Sequence, residues 1–508
     1  MAKKTKKPDL AAGIPTADLA DGDMISGRVG KEAVLIARVA EEIFAISAKC
    51  THYGGPLGEG VTSGDTVRCP WHHACFSLRT GEALRAPAID PVARWRVERS
   101  GDRIFVREKL PKAEGPRLSR ASRHRADGRF VIVGGGAAGF AAAERLRREG
   151  FEGEVVILSA DEEPPVDRPN LSKDFLAGKA EEEWVFIKPP RFYKDSGIEL
   201  ELGARVTTLE TSKKEVGLAD GRSFTFDKLL IATGAEPLRL SIPGADGPNV
   251  FTLRSLADSR AIIDKAGTSR TAVVLGASFI GLEVAASLIE RGLKVQGVAP
   301  DARPLERVLG PELGDFVRAK HEAHGVVFHL GRKPAAVDEK HVALDDNTRL
   351  DADLVVMGVG VRPRTELAEK AGLRMDRGVM VDAFLETSAP GIFAAGDIAR
   401  FPYALAGGGA VRVEHWVVAE RLGQVAAINM LDGGQRFEQA PFFWSQHYDV
   451  PINYVGYAEK WDTAEIVGDI KAGDGLVKYR NGGRVVAVAS IFRDEECLRA
   501  ELDLERSN

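Results

Sequence analysis

Cysteine is scarce. Four in 508 residues are too few for a disulfide scaffold, which suits a reducing, cytoplasmic setting. Long apolar runs are missing as well: no stretch approaches the roughly 20 apolar residues a spanning helix needs, so no membrane partner is expected. Charge of either sign is nearly balanced, and a formal net charge of −5 leaves no basic surplus for nucleic acid. The N-terminal lysines Lys3, Lys4, Lys6 and Lys7 have no apolar segment behind them and read as a frayed basic tail, not a targeting signal. With 44% hydrophobic and 28% charged residues, the chain has a globular composition, and its length implies three or four domains.

Three of the cysteines, Cys50, Cys69 and Cys75, fall within 26 residues; the fourth is Cys497. Around them, residues 10–109 alternate short β-rich runs (Val34 to Val39, Ile43 to Ile46, Val67 to Arg68, Ile104 to Val106) with Gly and Pro turns, the pattern of a small all-β domain. Cys50-Thr51-His52 and, 16 residues on, Cys69-Pro70-Trp71-His72 each offer one thiolate and one imidazole. Such ligands suit zinc or iron–sulfur. A Rieske cluster takes two Cys on one iron and two His on the other, with each arm supplying one of each, whereas a Cys2His2 finger pairs like with like along the chain. The segments CTHYGGPLGEG and CPWHHACFSLRTGEAL resemble the Rieske ferredoxin family over most of residues 12–107. That resemblance implies a 2Fe-2S cluster on Cys50, His52, Cys69 and His72. High-potential members carry an extra, disulfide-forming cysteine in each loop. Here Cys75 faces only Gly54 and Gly55 in the first arm, so a low-potential, ferredoxin-like cluster is expected, with Cys75 a buried free thiol. His73 stands where the family usually has Gly and reads as a supporting or solvent-facing residue, not a ligand.

Residues 111–128 are polar and basic and read as a linker. The organising segment follows: Arg129 to Leu146, RFVIVGGGAAGFAAAERL, is a strand, a tight turn and a helix with Gly134, Gly136 and Gly139 at G-x-G-x-x-G spacing. Such glycines let the chain turn, admit a pyrophosphate to the helix N-terminus and pack helix on strand. After the next strand, Glu154 to Leu158, the ribose-binding acid expected about 20 residues past the last Gly is replaced by Ser159, with Asp161 and Glu162 just beyond. A second copy, TAVVLGASFIGLEVAASL at Thr271 to Leu288, superimposes at an offset of 142, putting Gly276 on Gly134, Ser278 on Gly136 and Gly281 on Gly139. Two such units imply two dinucleotides, FAD and a nicotinamide cofactor. After Lys294 to Val298, the selector position is Ala299, with Asp301 and Arg303 displaced from it; the reading leans to NADH, with NADPH as the alternative.

Arg168-Pro169-Asn170-Leu171-Ser172-Lys173, Ile231-Ala232-Thr233-Gly234 and Ile392-Phe393-Ala394-Ala395-Gly396-Asp397 resemble the pyridine-nucleotide-dependent flavoprotein reductases over residues 129 to about 480. The resemblance implies cofactor contacts from Arg168, Thr233, Gly234 and Gly396, and a ribityl contact from Asp397, which could also cap a following helix. It puts Lys173 beside the flavin, paired with Glu283. Disulfide reductases of this fold carry a C-x4-C pair after the flavin motif, but no cysteine lies between Gly139 and Cys497, which excludes dithiol exchange there. Residues 411–430 are expected to form an amphipathic helix opened by Glu414, His415 and Trp416, aimed at the flavin. The block Pro441 to Gln446 resembles the C-terminal domain of oxygenase-coupled ferredoxin reductases and apoptosis-inducing-factor-like proteins; of its aromatics only Trp444 is given a flavin-side role.

The expected architecture is multidomain: an all-β Rieske domain (1–110), the linker (111–128), α/β tandem Rossmann-like units for FAD (129–245 and 380–435) and NAD(P) (246–379), and an α+β C-terminal domain (436–508). The whole is similar to the Rieske-bearing branch of the apoptosis-inducing-factor-like family. The implied function is an FAD-dependent NAD(P)H oxidoreductase passing single electrons through the cluster to a protein or small-molecule acceptor such as an oxygenase component. The alternative is an NADH-responsive redox sensor or signalling flavoprotein. A monomer or a homodimer fits equally.

Overall fold

The structure is a computed structural model that describes residues 7–112, 128–404 and 408–507. Most of the expected linker, and Lys3, Lys4 and Lys6, lie outside the described residues. By contact the chain divides into two compact units, one formed by the described part of residues 1–124 with Arg148–Phe151 and Arg493–Ser507, the other by most of the remainder.

The first unit is antiparallel β-structure closed by one helix. Its six-stranded sheet runs in the order Ile14–Pro15, Arg103–Lys109, Arg94–Ser100, Glu42–Ser47, Glu32–Val39, Met24–Val29. A four-stranded meander, Val61–Ser63, Thr66–Arg68, Cys75–Ser77 and Ala83–Arg85, carries the second cysteine arm at its central turn. Leu35, Ile46, Leu57, Val67 and Phe76 form a core beneath both arms, so the turns that hold the cysteines are anchored by apolar strands on either side. The helix is Asp494–Arg506, whose Leu498 and Leu502 pack on Val61. These last residues, expected within the C-terminal domain, therefore group by contact with the N-terminal β-structure.

The second unit holds the repeat. Two parallel five-stranded sheets share the order of four strands: Ile198–Glu201, Glu154–Leu158, Arg129–Val133, Lys228–Ile231, then Ile392–Ala394 in the first, and Val327–Leu330, Lys294–Ala299, Thr271–Leu275, Leu354–Met357, then Val250–Thr252 in the second, the fifth strand coming last in the chain in one and first in the other. Val131 pairs with Val156 and Leu229 as Val273 pairs with Gln296 and Val355. The central strands are Val/Ile/Leu runs buried on both faces, as a helix-covered parallel sheet requires. Each unit also carries a three-stranded antiparallel insertion, residues 206–225 in one and 334–351 in the other. A five-stranded antiparallel sheet over Phe442 to Ile491 completes the unit, its Phe443, Ile452, Tyr454 and Tyr479 joining Leu282 and Leu309 in one core.

The helix expected over 411–430 begins five residues later, at Trp416, and runs to Met430. Val411 and Val413 are buried while Arg412 and Glu414 are not, a period-two alternation that belongs to extended chain. The helix is buried on nearly every face, so it is a core helix, not an amphipathic one. Asp397 caps no helix: a strand, Ala399–Pro402, follows it.

Candidate functional site

The G-x-G-x-x-G turn sets the floor of a cavity of about 650 Å³. Gly134 sits at φ +114°, and a Cβ there would lie 2.3 Å from the Ala232 carbonyl oxygen. Gly139 does different work: a Cβ on it would meet the Gly134 carbonyl at 1.9 Å, so it lets the helix Ala137–Arg148 close on its strand and does not line the cavity. The second copy repeats this. Gly276, at φ +106°, abuts Gly358, and Gly281 abuts Gly276; neither lines the cavity. Ser278 is the N-cap of the helix Phe279–Glu290, accepting from Gly281 N–H at 3.3 Å and donating to the Gly358 carbonyl at 2.7 Å. The residue that replaces the middle glycine thus satisfies one of the helix's open N–H groups.

Gly134, Gly136, Arg168, Lys173, Thr233, Gly234, Glu283, Gly396, Asp397, Glu414, His415, Trp416 and Trp444 all border this one cavity. Ser159 and Asp161 border it as well, and Asp161 accepts from Arg168 at 3.1 Å. Burial, reinforced by repulsion from Arg254, pushes the Arg168 guanidinium down to about 10. A desolvated cation beside a glycine turn and a helix N-terminus is suited to a pyrophosphate. Asp397 is tied to Arg254 at 2.6 Å. Burial holds the His415 imidazole neutral, pushed down to about 4 despite the opposing pull of Asp397.

The wall opposite the glycines is organised by one carboxylate. Glu283, 4% exposed, accepts from Ser172 Oγ at 2.6 Å, from Lys173 Nζ at 2.9 Å and from Ser445 Oγ at 2.7 Å. These donors come from the RPNLSK turn and from the strand Phe442–His447, so a single side chain joins three parts of the unit. Trp444 lies over the Lys173 ammonium at 5.8 Å. Ser172, Arg254, Arg364 and Ser445 escaped the sequence reading. Ser172 was within reach, since it sits inside a motif already singled out; Ser445, a lone serine among aromatics, has no spacing that marks it.

In the β-unit the two arms bring their ligand types together in pairs. The Cys50 and Cys69 thiols hydrogen-bond each other, which lowers the pKa of Cys50 and raises that of Cys69. His52 Nδ1 lies 3.1 Å from His72 Nδ1, and burial pushes His52 down to about 3, keeping its imidazole neutral. Among the described residues no group of three or more His, Cys, Asp or Glu side chains is arranged around one metal ion. A thiol pair beside an imidazole pair is the donor set of a two-iron cluster with one pair on each iron. A Cβ on Gly55 would press on Cys69 Sγ at 2.7 Å, so the first arm leaves room at the thiols that only glycine gives. Cys75 is buried and unpaired. His73 is not solvent-facing: it is 1% exposed and turned to Glu501, the supporting position expected as the alternative.

Three family models match the chain: a Rieske [2Fe-2S] domain over residues 11–96, a pyridine nucleotide-disulphide oxidoreductase over 128–423 and a reductase C-terminal domain over 442–506. The chain is 34% identical to human apoptosis-inducing factor 3 across 94% of its own length and 81% of that protein. It is 36% identical to the ferredoxin–NAD(+) reductase component of the anthranilate 1,2-dioxygenase system of Burkholderia cepacia, across 71% of this chain and 90% of that one. Among solved structures, the covalent putidaredoxin reductase–putidaredoxin complex matches with a TM-score of 0.73 and 34% identity, covering 75% of this chain and 94% of that chain.

Proposed function

Because this chain belongs to the pyridine nucleotide-disulphide oxidoreductase family and carries a Rieske domain ahead of the reductase fold, we propose that it is an FAD-dependent NADH oxidoreductase. In this reading it delivers single electrons through its Rieske cluster to an acceptor protein of an oxygenase system. When bound, the flavin accepts a hydride from the nicotinamide and the cluster accepts electrons one at a time. The chain's residues supply the rest. The Gly134 turn and Arg168 would hold the pyrophosphate, and Asp397, now paired with Arg254, would receive the ribityl hydroxyls. Lys173, held by Glu283 and facing Trp444, would orient the flavin ring by its fixed ammonium. His415, kept neutral by burial, would border the ring without adding charge.

The observation that carries this reading is the pairing of Cys50 with Cys69 and of His52 with His72 in a chain whose other unit builds a dinucleotide cavity. The oxygenase-system acceptor is suggested by the B. cepacia relative. A preference for NADH over NADPH is supported by Asp301, a carboxylate just past the strand Lys294–Ala299, already paired with Arg307 at 2.7 Å. A cytoplasmic setting is supported by four buried cysteines, none of them in a disulfide. Among the described residues no helix is long and apolar enough to cross a membrane.

The test is the ligand variant C69S, not truncation of residues 1–110, because truncation would strip Leu498 and Leu502 of their packing partner Val61. In C69S, NADH-driven reduction of cytochrome c should fall at least about ten-fold while bleaching of the flavin by NADH persists. Undiminished cytochrome c reduction would contradict the reading.

A further inference from the structure

The last helix, Asp494–Arg506, supplies two carboxylates to the underside of the cluster-bearing meander. Arg68, Cys75 and Arg85 stand directly opposite one another on three adjacent strands. Directly paired residues share a face, so both guanidiniums and the thiol point the same way. The helix lies on that face. Glu501 Oε2 is 2.8 Å from Arg68 Nη1, and Glu505 is 2.7 Å from Arg68 Nη2 and 2.8 Å from Arg85 Nη1. Glu501 Oε2 also lies 3.1 Å from His73 Nδ1, both side chains being fully buried.

Arg68 immediately precedes Cys69 and His73 immediately follows His72, so Glu501 grips both ends of the segment that presents two cluster ligands. His73 N–H donates to the Cys69 carbonyl at 3.1 Å, closing the loop on itself. His73 also holds φ +59°, the left-handed region that few non-glycine residues enter, histidine being among those that do so more readily.

We propose that Glu501 is a positioning residue for the iron–sulfur centre. Through Arg68 and His73 it fixes the loop carrying Cys69 and His72, and its carboxylate adds negative charge that keeps the cluster's reduction potential low. The proposal rests on the reading that these loops hold a Rieske cluster. Groups around a metal site that orient its ligands and set its charge are the usual means by which a protein tunes potential.

The full-length protein is titrated with redox dyes and followed by visible absorption and by EPR of the reduced cluster. E501Q keeps the side chain's shape and removes its charge. It should retain the cluster, show altered g-values and shift the oxidised-to-reduced ratio at fixed poise about ten-fold toward reduced, which is about 59 mV upward for one electron. E505Q removes an equal charge one turn away without touching His73 and should move the potential less than half as far, with g-values unchanged. A potential and spectrum in E501Q matching the parent overturn the proposal, as does an E505Q shift equal to that of E501Q. Should E501Q fail to take up iron, H73N decides, since asparagine tolerates the left-handed backbone and leaves the carboxylate and both arginines in place. Changed g-values there support the proposal and unchanged ones overturn it. A parent protein without a Rieske spectrum would instead remove the functional reading itself.

Discussion

Glu283 accepts three hydrogen bonds at once, and replacing it with alanine takes that acceptor from Ser172, Lys173 and Ser445 together, leaving Ser172 and Lys173 the Pro169 carbonyl at 3.3 and 3.2 Å. A hydrogen bond to a charged acceptor is worth roughly 1.5–3 kcal/mol, so the gross loss is about 5–9 kcal/mol. Lys173 is 17% exposed and borders the cavity, so water can repair part of that loss. The net cost should then match that of breaking a buried pair by removing one partner, about 3–5 kcal/mol. K173M should cost less, because Glu283 keeps its two serine donors. In the double variant no ammonium is left to desolvate, so its destabilisation should fall short of the sum of the singles by about 0.5–3 kcal/mol. The assay is denaturant unfolding of the FAD-loaded protein across the four members of the cycle. Additivity within about 0.5 kcal/mol would refute the claim that one carboxylate ties these elements together.

Other perturbations probe other parts. G134A forces a Cβ to within 2.3 Å of the Ala232 carbonyl at φ +114° and should yield protein that binds no FAD, seen as loss of flavin absorbance after gel filtration. D397N removes a buried carboxylate aimed at the cavity and should weaken FAD binding roughly 10–100-fold by fluorescence titration, about 1.4 kcal/mol per decade; unchanged affinity would remove Asp397 from the site. His321 and His447, 3.1 Å apart, are pushed by burial down to about 2 and about 3. Between their ordinary value near 6.5 and those values the unfolded chain binds protons that the folded chain refuses, so stability falls as pH falls. From pH 6.5 to 5.5 the pair should cost about 2 kcal/mol, a loss that H321Q/H447Q should largely abolish in denaturant melts at the two pH values.

Much of this was written locally. The tandem units were legible because a glycine turn between a β-branched run and an Ala-rich helix leaves few alternatives, and because it occurs twice. The meander was legible from short alternating strands, and Val411 and Val413 carried a period-two signal that the helix expectation overrode. What stayed hidden involves contacts across the chain. Ser445 meets Glu283 across 162 residues, and Arg68 meets Glu501 across 433. No spacing rule reaches that far. The grouping of Arg493–Ser507 with the β-unit was invisible for the same reason, since an amphipathic helix shows that it has a partner face without showing which surface meets it.

The central claim is that hydride taken from NADH leaves this protein as single electrons through the iron–sulfur centre. Anaerobic titration of the loaded protein with NADH, followed by absorption and EPR together, tests it most directly. The EPR signal of the reduced cluster should rise as the flavin bleaches. A flavin that bleaches fully while the cluster stays oxidised would contradict it.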